Sequence, residues 1–232
     1  MTDEQQRAEA HRLSNELRRV IEKLVLVRAP ADQLATAADA ARDFADELEG
    51  LPARRWYESH DGFAESANAG SPVGMFDLSP IMGLSNPLAS PLQLKIAEDS
   101  EGKLMAVGSA FFNAAYEGPP GCVHGGILAS VFDEVLGFAN GVTGNPAVTG
   151  TLTIKYRKPT PLYQPLQFEG RCVRVSGRKV FTEGACFHNG ILTAQAEAIF
   201  VKVDMSQIAE TLGANMRSNA SAPPQGPSDA PD

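Results

Sequence analysis

The stretch GPPGCVHGGILASVFDEVLG, residues 118–137, carries one histidine, a glycine pair and two carboxylates across a change from loop to apolar helix. Gly125 and Gly126 stand where the helix should begin. There the first-turn amides have no intrahelical acceptors and carry the positive end of the helix dipole. With no side chain at either position, a ligand atom can approach those amides closely. That arrangement suits a carbonyl oxygen that becomes negative during reaction. His124 adjoins it and could hydrogen-bond the same oxygen or fix the loop.

Asp133 follows His124 by nine positions. At about 1.5 Å and 100° per residue, nine helical steps make roughly 13 Å of rise and a half-turn to the opposite face. One chain therefore cannot bring both groups to one carbon. If they act together, His124–Gly126 of one subunit must meet Asp133 of another, which calls for a two-fold dimer with two equivalent sites. HGG by itself is a common string that often marks only a helix start, and an aspartate in an apolar helix can be a buried group satisfied by backbone donors. The cost of burying an unpaired carboxylate weighs against that second reading, so Asp133 is expected to be functional. Glu134, about 100° further round, is expected to be partly solvated or to face the dimer partner.

These residues need a frame. From about Glu4 to Val27, apolar Leu13, Leu17, Val20, Ile21 and Leu24 recur at helical spacing, and Arg28-Ala29-Pro30 closes that helix. A second helix is predicted from about Ala31 to Leu48, with Leu34, Ala38, Ala41, Phe44 and Leu48 on one face. The alanine-rich pair is read as a packing or dimer-flanking appendage. Residues 61–91 are rich in Gly, Ser, Asn and Pro, yet Met75, Phe76, Ile81, Met82 and Leu84 are too apolar for a free linker, so this segment is expected to lie across the next domain.

Strands are predicted over 92–99 and 103–112. The helix Gly125 to Asn140 follows, and then strands over 147–159, 166–177, 179–190 and 191–203, each ending at Gly, Pro, Asn or the chain's polar tail. One helix for about six antiparallel strands fits an α+β domain in which a curved sheet wraps a central helix. Enclosure by the sheet explains why that helix is apolar almost all round. The expected organisation is an N-terminal helical extension (1–60), an irregular covering segment (61–91), the α+β domain (92–204) and a largely disordered Ser/Ala/Pro-rich tail (205–232).

The chain carries a formal charge of −8, against broad nucleic-acid affinity. Cys122, Cys172 and Cys186 show no CxxC spacing, so neither a disulfide framework nor a zinc site is expected. His11, His60, His124 and His188 show no metal-ligand spacing, and no GxSxG elbow marks a serine hydrolase. The amino terminus lacks a signal-type apolar run, and no stretch is apolar for long enough to span a membrane. A cytoplasmic protein is expected.

VHGGILASVFDEVLG followed by VTGTLTIKYRKPTPL resembles the hotdog-fold thioesterases, and within them the acyl-CoA thioesterases of the phenylacetyl-CoA thioesterase type. The likeness covers about residues 92 to 203. It implies the hotdog fold and an acyl-CoA thioesterase that hydrolyses a fatty or aromatic acyl-CoA, as a homodimer that allows a dimer of dimers. It puts Asp133 in the place of the catalytic carboxylate and His124 and Gly125 at the positions that bind and polarise the thioester carbonyl. Thr149 or Thr151 takes the place of a strand hydroxyl beside the water or the carboxylate. Some relatives hold the carbonyl with an Asn six positions before the His; here that position is Gly118.

A thioester needs a base for water and a hold on the oxyanion, so Asp133 would activate water or attack directly. No cofactor is expected, because coenzyme A is part of the substrate. Its phosphates call for cations, and Lys155, Arg157 and Lys158 with Arg174, Arg178 and Lys179 are the densest basic positions of the domain. Two other readings remain: a non-catalytic acyl-CoA-binding sensor or assembly protein, and a hotdog acyl-CoA hydratase.

Overall fold

A computed structural model describes residues 3–52, 76–90, 92–142, 144 and 147–203. The elements run α1 (Asp3–Leu26), α2 (Ala31–Glu49), β1 (Gln93–Glu98), β2 (Leu104–Phe111), a short 3-10 turn (Ala114–Tyr116), α3 (Gly125–Gly141), β3 (Ala147–Tyr156), β4 (Pro165–Ser176), β5 (Lys179–His188) and β6 (Ile191–Lys202). His60, residues 61–75 of the expected covering segment and the tail from 205 lie outside the described residues.

All strand pairs are antiparallel, in the order β1-β2-β4-β5-β6-β3. This six-stranded sheet curls around α3, the hotdog arrangement. Alternation supplies the inner face: along β4, Leu166 and Phe168 are buried while Gln167 and Glu169 are not. At Asn189 and Gly190, both with φ > 0, the β5–β6 connection is the two-residue turn whose twist matches that of the strands.

From α3, Leu128, Val131, Phe132, Val135 and Leu136 are buried, with Phe132 edge-on to Phe168 at 5.7 Å. The helix approaches the middle of the sheet so closely that a Cβ on Gly170 would meet Val135 Cγ1 at 2.9 Å and one on Gly184 would meet Leu136 Cδ2 at 3.0 Å. Two glycines in adjacent strands therefore let the helix settle into the curve of the sheet.

The side of α3 away from the sheet is covered by residues 76–90, a run of turns that we call the strap. Phe76 packs against Phe138 with ring centroids 6.3 Å apart, and Ile81 and Met82 rest on the core. Ser79 Oγ accepts from the amides of Ile81 and Met82 and donates to Glu134 Oε1 at 2.8 Å. The first helix in turn grips the strap. Arg18 donates to the carbonyls of Gly83, Asn86 and Ala89, at 2.9, 2.7 and 3.2 Å, and His11 Nε2 lies 2.6 Å from the buried Asp77 carboxylate. Tyr116 Oη adds a bond to Ala89 O at 3.2 Å. The sequence suggested a packing or dimer-flanking appendage, and α1 packs on the strap through polar contacts that no hydrophobic spacing could announce. In α2, by contrast, every residue is exposed except the half-buried Phe44.

Candidate active site at the entry and the middle of the central helix

Helix α3 begins where the sequence places it. His124 is its N-cap, with its backbone extended and its Nδ1 accepting from the Gly126 amide at 3.0 Å. The His124 amide is itself held by Tyr116 O at 2.8 Å. Because Nδ1 accepts, the neutral imidazole carries its proton on Nε2 and can donate outward. The Gly126 amide, expected as an open donor, is taken by this cap. Its part is room, since a Cβ there would meet His124 Nδ1 at 3.1 Å. The Gly125 amide has no acceptor among the described residues. The open donors at this end of the helix are thus Gly125 N–H and His124 Nε2–H.

Tyr156, which the sequence reading did not single out, closes one side of this corner. Its hydroxyl donates to Gly125 O at 2.8 Å, and a Cβ on Gly125 would meet that hydroxyl at 3.1 Å. No motif signals it, because the contact joins residues 31 apart through the fold. Gly118 also has a reason to be glycine: a Cβ there would meet His124 Cα at 2.7 Å. The loop crosses its own histidine too closely for the asparagine that some relatives place at that position.

In the middle of the helix, Asp133 Oδ1 accepts from Thr149 Oγ1 at 2.8 Å. The choice between Thr149 and Thr151 is made by a bulge. Thr149 pairs with Phe200 and Thr151 with Ile199, with a register shift between them. Opposite inward-facing Phe200, Thr149 faces the helix, whereas Thr151 turns outward. In a regular strand residues two apart share a face, so without the shift Thr149 and Thr151 would point the same way.

The two carboxylates differ in exposure, Glu134 keeping the partial solvation expected of it. Asp133 is exposed in the single chain, and Glu134 is the shielded one. The strap explains this, since Ser79 lies over Glu134 while nothing in the described chain covers the Asp133 side. Burial pushes the Glu134 carboxyl above its ordinary range, the Ser79 hydrogen bond opposes that rise, and the charge of Asp133 adds to it. Burial likewise pushes the Cys186 thiol up to about 11, so it is no ready nucleophile.

The basic positions separate into two groups. Lys155 and Arg157 lie at the end of β3, bonded to Glu197 at 2.7 Å and to Gln195 at 2.9 Å, with Lys158 following. Arg178 and Lys179 lie at the β4–β5 turn, where Arg178 donates to Lys202 O at 3.3 Å, and nearby Arg174 covers the Phe181 ring at 3.8 Å. Lys179 is level with Val201 and Lys155 with Gln195 along β6, so roughly 20 Å of strand divides the groups within one chain. Among the described residues, no three His, Cys, Asp or Glu side chains gather as a metal site would require.

The family model for the thioesterase superfamily matches residues 120–194. A crystal structure of a thioesterase superfamily protein matches with a TM-score of 0.70 at 30% identity, over 83% of this chain and 90% of that one. This chain belongs to the thioesterase superfamily. Within that superfamily it is 33% identical over 89 residues to the acyl-coenzyme A thioesterase THEM4 of Xenopus laevis, covering 38% of this chain and 40% of that protein. It is 34% identical over 92 residues to THEM4 of Mus musculus, covering 38% and 39%. The matches span about two fifths of the length of those curated relatives. The likeness to the solved thioesterase superfamily protein reaches well beyond the sheet and α3, since those elements with the loops between them make up less than half of the chain. No helix among the described residues is long and apolar enough to cross a membrane.

Proposed function

We propose that the chain is an acyl-CoA thioesterase that works as a homodimer and hydrolyses a fatty or aromatic acyl-CoA to the free acid and coenzyme A. One observation carries the reading: α3 offers two half-sites, an open amide at Gly125 and an exposed, Thr149-bonded carboxylate at Asp133, roughly 12 Å apart along one helix and so beyond reach of one carbon. A second subunit related by a two-fold axis completes both. The free edge of β3 supports such a pairing, because a ten-residue edge strand without proline is a template for its own copy.

In the assembled site the thioester oxygen lies against Gly125 N–H and His124 Nε2–H of one subunit. Asp133 of the other takes a proton from water as the water oxygen bonds to the carbonyl carbon. Negative charge builds on the oxygen where the two donors wait. Collapse of the tetrahedral intermediate breaks the carbon–sulfur bond and releases coenzyme A as a thiolate, which needs little acid assistance. In the variant route Asp133 attacks the carbonyl carbon, and water then opens the resulting anhydride. Thr149 orients Asp133 in both. Antiparallel β3 edges would also bring Arg178 and Lys179 of one subunit toward Lys155, Arg157 and Lys158 of the other, where coenzyme A phosphates could be held.

The test is free-thiol release from short, long and aromatic acyl-CoAs by wild type and Asp133→Asn. Turnover of some of these esters, lowered about a hundredfold or more in the variant, is the expected result. Tight binding of the esters with no thiol release would instead make the protein an acyl-CoA sensor.

A further inference from the structure

The N-terminal helices hold a complementarity that one chain leaves unused. On α1, Leu13, Val20 and Leu24 form an exposed stripe at helical spacing on the side away from the strap, continued by Val27 just past its end, with Val20 and Leu24 59% and 61% exposed. The C-terminal half of α1 and the residues just after it carry exposed Arg19, Lys23 and Arg28 against Glu16 and the half-buried Glu22. Of these, Arg19 pairs with Glu16 on its own helix, and Lys23 and Arg28 have no ion pair among the described residues. On α2, Leu34, Ala38, Ala41, Phe44 and Leu48 line one face. The rest of that helix holds six acidic side chains against one basic, and among the described residues Asp39 alone of the six is ion-paired, with Arg42.

Two apolar stripes of opposite electrostatic sign thus stand open in the same chain. They do not meet within it: the helices are joined by Val27–Pro30, Pro30 is extended, and no packed contact runs along α1 and α2. Helices in proteins owe most of their stability to the packing of an apolar face, so a helix exposed along its whole length is an incomplete element. Pairing α2 with α2 of another copy would set acid against acid. Pairing α2 with the basic half of another copy's α1 sets acid against base and covers both stripes.

We propose that α2 of one chain packs on the C-terminal half of α1 of a second copy, and reciprocally, as an exchanged helical clasp. The two contacts are equivalent under one two-fold axis, so they form a closed pair. Because α1 grips the strap through His11 and Arg18, the clasp also ties each subunit's strap to its neighbour.

The experiment treats a mixture of nitrogen-15-labelled and unlabelled full-length protein, unfolded together and refolded, with a carbodiimide that joins amines to carboxylates without a spacer. Cross-linked peptides are then read by mass. Links from Lys23 to Asp43, Asp46 or Glu47 that carry one labelled and one unlabelled partner are expected, together with slow amide exchange in α2 that quickens on dilution. The variant Leu34→Glu/Leu48→Glu should lose both. Links found only within one isotope would show α2 folded back on its own α1 and overturn the proposal. Fast exchange throughout α2 with no such links would overturn it too, leaving the face to another occupant. A particle of dimer mass without mixed-isotope links refutes the clasp while leaving the shared active site untouched, so the two proposals fail separately.

Discussion

The two flanks of α3 are built differently. On the strap flank, Glu134 and Phe138 are covered by residues of the same chain, with Ser79 bonded to the carboxylate and Phe76 laid on the ring. On the β3 flank, Asp133 and Thr149 form an equally short hydrogen bond and are left exposed. Neighbouring carboxylates on one helix thus have opposite surroundings. The chain seals one flank with its own residues and leaves the other open.

Subunit mixing would break this comparison most decisively. Gly125→Val, which crowds Tyr156, and Asp133→Asn should each lower thiol release by about a hundredfold or more. Refolded together in equal amounts, the two variants should recover about a quarter of wild-type turnover, since half of the dimers then carry one intact site of two. No recovery would place both half-sites in one subunit and undo the reading of the open flank.

A smaller effect belongs to the hydroxyl on that flank. Thr149→Val should reduce kcat about tenfold with little change in KM, because it frees a carboxylate that has to be aimed. Thr151→Val, on the outward side of the bulge, should stay within about twofold of wild type. Equal losses at the two positions would mean that the bulge does not select the residue.

On the sealed flank the expected changes are in stability. Ser79→Ala removes the donor to Glu134 and the acceptor for two strap amides, and should cost about 1–2 kcal/mol, read from urea midpoints. The smallest change is Glu134→Gln. The folded-state pKa of Glu134 is raised, so the native chain binds that proton more tightly than the unfolded chain. Stability from this group falls as pH rises from the unfolded value through the folded one. The neutral glutamine should therefore raise Tm near neutral pH by roughly one or two degrees. That gain should vanish in acid, where Glu134 is itself protonated. A gain that grew on acidification would contradict the burial of this carboxylate.

Much of this frame was readable in the chain itself. Each predicted strand lies within three residues of its observed bounds, because inward and outward residues alternate and Gly, Pro or Asn punctuates the turns. Helix α3 was readable from its glycine pair and its apolar run. Asp133 was placed opposite His124 by helical arithmetic, which depends on nothing beyond the spacing of residues.

What the sequence could not determine involves partners distant along the chain. The shielding of Glu134 beside the exposed Asp133 depends on Ser79, 55 residues before Glu134. The choice of Thr149 over Thr151 depends on a register shift against β6. The capture of the Gly126 amide by His124 depends on the rotamer that the loop imposes. Hydrophobic period and turn chemistry are local, so a sequence carries them openly. Which carboxylate is shielded, which hydroxyl faces inward and which amide stays open are matters of three-dimensional neighbours, and only the closed fold supplies those.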